Sequence, residues 1–452
     1  MTRMEEYNAL LQELEETPDR LNFTVARAKA RTRRQRVRKW VGAPLISLSA
    51  ACCAFVLLVN FSTPFAMACA KVPFFKELAE AVSFSSSLYA AVENEWVQPI
   101  GQTDTDNGYS VTIEYLIVDQ KQLNIFFSLA GGEEADPRDS YSLRSDFFDE
   151  QGVELPFSVV TGDAHTDGEL YQVLADFTSA DNTMPGQVRM ECVLEKHWDN
   201  RDKESMREVM GQFSFDLSFD PLFTAQATVV EVGRWMELDG QQILLKNVEI
   251  YPTHMRINLE DHPDNTAWLK DLEMYVQDEK GERFAQGGNW ISGSGSPDSP
   301  FMQSFRMETT FFADSRNLTL YITEARWLNK ENHTATIDFE TGATTGLPMD
   351  TSLYQIEREG NDVHLRFFCA KKDELNYNTL FAVQEYRDPE GEIHQTMGYS
   401  IHDAHDDETM EWIEGWAEKT YVLKNYPWNT VELELNATHA TKYESPVEIP
   451  IN

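Results

Sequence analysis

Cysteine is scarce in these 452 residues, five in all, and only Cys192 and Cys369 stand outside residues 52 to 69. That number and scatter exclude a disulfide scaffold and a zinc site. Two unpaired thiols are expected, with a Cys192 to Cys369 bridge as the alternative. Basic charge is scarce as well: Lys and Arg number 38 against 75 Asp and Glu, a formal net charge of −37. Residues 1 to 39 hold 10 basic and 6 acidic side chains, so the rest carries 28 against 69. A surface that acidic repels phosphates, which excludes nucleic acid as a partner of the large region. Catalytic signatures are missing too. The glycine-rich stretch from Gly287 to Pro297 lacks the Gly-Lys-Ser/Thr ending of a phosphate loop and is not a Gly-x-Ser-x-Gly elbow, so it reads as a flexible loop. Neither an enzymatic activity nor a cofactor is expected.

Long apolar runs are rare, with one exception. Between Lys39 and Lys71 no residue is charged, and the stretch from Leu45 to Val59 is dominated by residues that partition into lipid. A helix needs about 20 such residues to cross a bilayer. Just before it stand Arg27, Lys29, Arg31, Arg33, Arg34, Arg36, Arg38 and Lys39, which hold the N-terminus in the cytoplasm by the positive-inside bias. Residues 40 to 70 therefore read as a single transmembrane helix in contact with lipid, with the C-terminal region outside the cell. A cleaved signal, with Ala66-Met67-Ala68 as its cleavage site, is the competing reading, but its leading region would be too long.

The cytoplasmic arm, residues 1 to 39, has an apolar stripe. Met4, Tyr7, Leu11 and Leu14 recur at helical spacing, and a second short helix follows Thr17-Pro18. Helices this short cannot bury their stripes against each other, so the stripe is a candidate partner-binding surface. The alternative is an arm that only sets topology.

Beyond the apolar run, residues 71 to 100 read as two juxtamembrane helices. One covers Pro73 to Val82; the other starts after Ser85-Ser86-Ser87 and carries Leu88, Val92 and Trp96 on one face. From about residue 101 the period changes to alternation. Strands are expected over 111–118 and 123–129, around an Asp119 to Gln122 turn, and over 213–219. A second copy runs over 243–250 and 255–259, and a third over 363–368 and 380–383. Closing strands are expected over 334–339 and 431–435. Each copy carries an Asp-x-x-Gly turn, at Asp149, Asp278 and Asp388, spaced 129 and 110 residues apart. The fold class expected is mainly β: a helical arm and one transmembrane helix, then three tandem immunoglobulin-like β-sandwich domains at 101–222, 223–345 and 346–452.

Metal chemistry has weak candidates. His402 and His405, among Asp403, Asp406, Asp407 and Glu408, are the densest set of ligand types, but they read as a solvated loop. Asp104-Thr105-Asp106-Asn107-Gly108 begins like a calcium loop, yet Tyr115 stands where a bidentate Glu is needed. Trp412, Ile413 and Trp416, at helical spacing, read as the closure of a core or as an aromatic binding surface. The sequons at Asn317, Asn332 and Asn436 matter only in a eukaryotic secretory route.

The run from Pro44 to Asn60, the stretch Val72-Pro73-Phe74-Phe75-Lys76-Glu77-Leu78-Ala79, the segment Val92-Glu93-Asn94-Glu95 and the segment Val118-Asp119-Gln120-Lys121-Gln122-Leu123 carry a resemblance. They resemble a family of membrane-anchored bacterial proteins of uncharacterised function, commonly encoded beside extracytoplasmic-function sigma factors. Residues 223–345 are similar to the immunoglobulin-like module often found behind it. The resemblance implies an anti-sigma or envelope-sensing role, with a cytoplasmic sigma factor and an extracellular ligand as partners. It implies no catalytic residues. The alternative function is a cell-surface adhesion or scaffold protein without a signalling role.

Overall fold

The computed structural model describes residues 74–131, 139–179, 181–199, 205–224, 227–287, 292–296, 299–348, 350–370, 379–382, 385–395, 398–405 and 412–452. The arm with Met4, Tyr7, Leu11 and Leu14, and the expected transmembrane helix at 40 to 70, lie outside the described residues. Among those described, no helix is long and apolar enough to cross a membrane. The chain is mainly β, built of several antiparallel sheets, and it divides into two compact units.

The first unit opens with two helices, α1 (Phe74–Ala81) and α2 (Ser86–Glu93). Ser85 caps α2 as its sequence signature requires: the hydroxyl accepts the Leu88 amide at 3.3 Å. Leu78, Val82, Leu88 and Val92 are buried together with Tyr115, Ile117 and Phe126, so one face of a sheet is where the helical stripes go. Trp96 lies beyond the end of α2, and its indole N–H donates to the Val118 carbonyl at 3.0 Å.

Eight strands follow: β1 (Gln98–Asp106), β2 (Tyr109–Val118), β3 (Gln122–Ala130), β4 (Ser140–Phe148), β5 (Phe157–Thr161), β6 (Tyr171–Phe177), β7 (Gln187–Asp199) and β8 (Ser205–Ser218). They form a five-stranded sheet in the order β1-β2-β3-β6-β5 and a three-stranded sheet in the order β4-β7-β8. The expected strands at 111–118, 123–129 and 213–219 are present in β2, β3 and β8. Between β2 and β3 the Asp119 carboxylate accepts the amides of Lys121 and Gln122, both at 2.8 Å, which makes the tight turn. Buried residues of both sheets merge into one cluster, from Val111 and Phe127 to Leu143, Met190 and Phe215. Residues Thr309–Arg316, distant in sequence, belong to this unit. The Thr309 amide donates to the Ser87 hydroxyl at 2.7 Å, and Phe311 and Phe312 meet the Trp96 ring edge to face.

The second unit comprises Ala227–Glu308 and Asn317–Asn452. Its strands are β9 (Thr228–Leu238), β10 (Gln241–Ile250), β11 (Met255–Asp261), β12 (Ala267–Asp278), β13 (Arg283–Ala285), β14 (Gly293–Ser296), β15 (Ser299–Met307), β16 (Leu318–Asn329), β17 (Thr334–Asp338), β18 (Thr344–Thr345), β19 (Thr351–Glu359), β20 (Asp362–Ala370), β21 (Glu385–Arg387), β22 (Ile393–Gln395), β23 (Gly398–His405), β24 (Trp412–Leu423), β25 (Thr430–Glu434) and β26 (His439–Pro450). Four sheets result, in the orders β14-β15-β11-β10-β9, β13-β12-β16-β26, β18-β17-β25-β21-β22 and β19-β20-β24-β23. The last two share one buried cluster around Phe367, Phe381, Tyr421 and Leu433.

Two local expectations are corrected. Of the strand expected over 380–383, residues 380–382 are described and do not form one: Phe381 makes only an isolated bridge to Leu435. Part of the glycine-rich stretch is strand β14, paired with β15. Trp412, Ile413 and Trp416, at helical spacing in the sequence, lie in strand β24. In addition β26, expected within the third copy, pairs with β16, while β17 pairs with β25.

The three Asp-x-x-Gly turns share one geometry. In each, the glycine amide donates to the carbonyl of the aspartate, at 3.0 Å for Gly152, Gly281 and Gly391. Each carboxylate accepts two further amides, two and four residues on, at 2.8 to 2.9 Å. The glycines have φ of +78°, +80° and +88°, the left-handed region where a side chain is strained. At Asp388 burial raises the carboxyl pKa. The hydrogen bond from His394 at 2.8 Å and the two amides outweigh it, so the group sits below its ordinary value.

Candidate functional site

Of the metal candidates, Asp406, Asp407 and Glu408 lie outside the described residues. His402 and His405 lie in β23, and His402 is exposed, opposite Glu418 of β24 in the register. Among the described residues no group of three or more His, Cys, Asp or Glu could hold a metal ion. Trp416 is exposed on β24. Cys192 and Cys369 are free and buried. Burial, and secondarily Asp104, pushes the Cys192 thiol up to about 12, so it stays protonated and unreactive.

The Asp104 to Gly108 stretch is a two-residue hairpin between β1 and β2, with Asn107 at φ +49° and Gly108 at φ +81°. Its carboxylates are turned to a structural task. Asp106 accepts the Gln212 amide and Asp104 the Ser214 amide, both at 2.9 Å. The series continues along β1: Gln102 donates to the Asp216 carbonyl at 3.1 Å, and Gln98 donates to that of Ser218 at 2.7 Å. Gln98 also accepts the Asp220 amide at 3.0 Å. Side chains of β1 thus bind the backbone of β8.

A buried polar arrangement lies in the second unit. Arg256 and Arg306 face each other in the register of β11 and β15, and both are buried. Arg256 Nε donates to His254 Nε2 at 2.9 Å, so that nitrogen carries no proton and Nδ1 is left to bond the Thr253 hydroxyl at 2.8 Å. The His254 ring stacks on Tyr251 with centroids 5.0 Å apart, and the Arg256 guanidinium lies over the same ring. Arg306 donates to Ser294 and Ser304 at 3.1 and 3.0 Å. With both ring nitrogens engaged, His254 is a positioning group and not a free base.

A second charged cluster joins β12 to β16. Arg326 lies 2.9 Å from Glu324 and 3.7 Å from both Asp271 and Glu273. Burial pushes the Asp271 carboxyl up, and burial followed by the charge of Glu324 does the same for Glu273. Three carboxylates around one guanidinium clamp two strands; they present no nucleophile. Neither cluster was singled out from the sequence.

With this geometry in place, two family models match. Residues 34–131 match a domain of unknown function, DUF4179. Residues 227–356 match a family of unknown function, DUF5643. The DUF4179 match runs from the basic cluster through the apolar stretch and both helices into β3, and the DUF5643 match begins where the second unit begins. No curated protein matches the chain. Among solved structures, the crystal structure of the conserved domain protein from Bacillus anthracis is similar at 19% identity and a TM-score of 0.39, covering 52% of this chain and 79% of that one.

Proposed function

We propose that this chain is a single-pass membrane regulator, an anti-sigma factor or envelope sensor. Its arm binds a cytoplasmic partner such as a sigma factor, and its β region binds a ligand outside the cell. The observation that carries the reading is the charge-free segment between Lys39 and Lys71, set directly behind eight cations. The DUF4179 match supports it by running through that segment and into the first sheet without a break. The shared cores of the paired sheets support the reading of the outer region as tandem immunoglobulin-like sandwiches. Met4, Tyr7, Leu11 and Leu14 are the surface proposed for the partner.

Two measurements test this in the full chain. Protease added to intact, wall-stripped cells digests the region beyond residue 100 and spares the arm; protection of the C-terminal region refutes the topology. Leu11→Asp with Leu14→Asp removes anchors of a helix-in-groove contact, each worth about 2 kcal/mol or more. The double variant releases the sigma factor and raises transcription from its target promoter, without changing membrane insertion. Glu13→Ala changes nothing. An unaltered transcriptome in the double variant, with no cytoplasmic protein co-purifying with the wild-type chain, favours the surface scaffold.

A further inference from the structure

Strand β8 is the outer member of its sheet, with β7 on one side and no strand ladder on the other among the described residues. Gln212, Ser214, Asp216 and Ser218 are exposed, whereas Gly211, Phe213, Phe215 and Leu217 are buried. A long, amphipathic edge of this kind is a template for another strand. The five bonds from β1 fall on the groups such a strand would use: the amides of Gln212, Ser214 and Asp220 and the carbonyls of Asp216 and Ser218. Side chains on one strand repeat every second residue, as do the edge-facing groups of the next, so Asp104 and Asp106 meet Ser214 and Gln212 in step. Gly101, at φ +69°, sits where the β1 register shifts. A Cβ on Gly211 would come 2.9 Å from the Phe213 ring and 3.3 Å from the Asp106 carbonyl oxygen.

We propose that β1 is a strap over the β8 edge, and that release of the strap lets β8 pair with β8 of a second copy of this chain. Two-fold antiparallel pairing centred between Ser214 and Asp216 sets Asp216 opposite Ser214 and Gln212 opposite Ser218. No like charges then face each other, and the apolar side of each strand remains on its own core. The strap is therefore an autoinhibitory contact that keeps the first unit from self-assembly.

The test uses the full chain in membranes, with Gln212→Cys and Ser218→Cys together as the reporter, because these two positions face each other across the two-fold contact. Alone, this pair of substitutions gives no more disulfide-linked dimer than the parent. Combined with Asp104→Ala and Asp106→Ala, it raises the dimer at least about tenfold. Asp104→Asn with Asp106→Asn retains a carbonyl acceptor at each place and stays at the parental level. A folded alanine variant with parental dimer yield overturns the proposal. If the alanine variant does not fold, amide exchange in the unmodified protein decides: Gln212 and Ser214 exchange at least about a hundredfold below their unprotected rates. Exchange at the unprotected rate overturns the strap.

Discussion

Gly346→Ala isolates the cost of a steric collision inside the second unit. Gly346 has φ +79°, and a Cβ built there would lie 2.2 Å from the carbonyl oxygen of Thr334 and 3.3 Å from the Cα of Ala335. Gly342, four residues earlier, has φ +67° and nothing within 4 Å of the same atom. Both substitutions force alanine into the left-handed region, at about 1–2 kcal/mol. Only Gly346→Ala adds an overlap with backbone that cannot easily yield, since Thr334 is held in register with Glu434 between β17 and β25. Overpacking of this kind costs about 1–3 kcal/mol more. The assay is amide exchange of Ile337 and Leu433, both fully buried in these strands. An excess of about 2 kcal/mol corresponds to roughly thirtyfold faster opening in Gly346→Ala than in Gly342→Ala. Equal exchange in the two variants would refute the reasoning, because backbone strain alone would then account for both.

Other outcomes follow from the same contacts. Cys192 is labelled by maleimide at pH 8 only when the first unit is unfolded; rapid labelling of the native chain contradicts its burial. Because the native thiol titrates at about 12 against an ordinary 9.0, the unfolded chain binds fewer protons above pH 9. Unfolding free energy therefore falls as pH rises through that range, and burial of Tyr141, Tyr421 and Tyr426 extends the decline further into alkali. A melting temperature that holds steady between pH 8 and 11 would count against this. Asp278→Ala removes the acceptor of two turn amides and costs about 1–3 kcal/mol, while Asp278→Asn recovers much of it, both read by denaturant unfolding.

What could be read from the sequence was local. Alternation placed β2, β3, β10 and β20, Ser85 marked the start of α2, and Asp with Gly three residues on predicted three turns of the same geometry. Spacing alone was ambiguous at Trp412 and Trp416: four residues apart fits a helix, and both lie in strand β24. Partnership between remote segments left no such mark. Nothing in Thr309–Arg316 signals that its aromatic pair meets Trp96. No strand was expected over Arg306, so its place opposite Arg256 emerged only from the pairing of β15 with β11. The even spacing of Gln102, Asp104 and Asp106 was visible, but polar residues at period two are the usual mark of an outward face.

The pairing of β26 with β16 sets a schedule for biosynthesis. Strands β12 and β16 leave the ribosome as a matched pair, yet one flank of β16 stays bare until residues 439–450 have been made, more than a hundred residues later. During that interval the emerging chain carries an unfinished sheet edge, open to stray strands. The nascent chain therefore needs either a holding factor or rapid delivery of β26. Interrupted translation anywhere after β16 would leave a product that is mostly present in length but exposed at its middle.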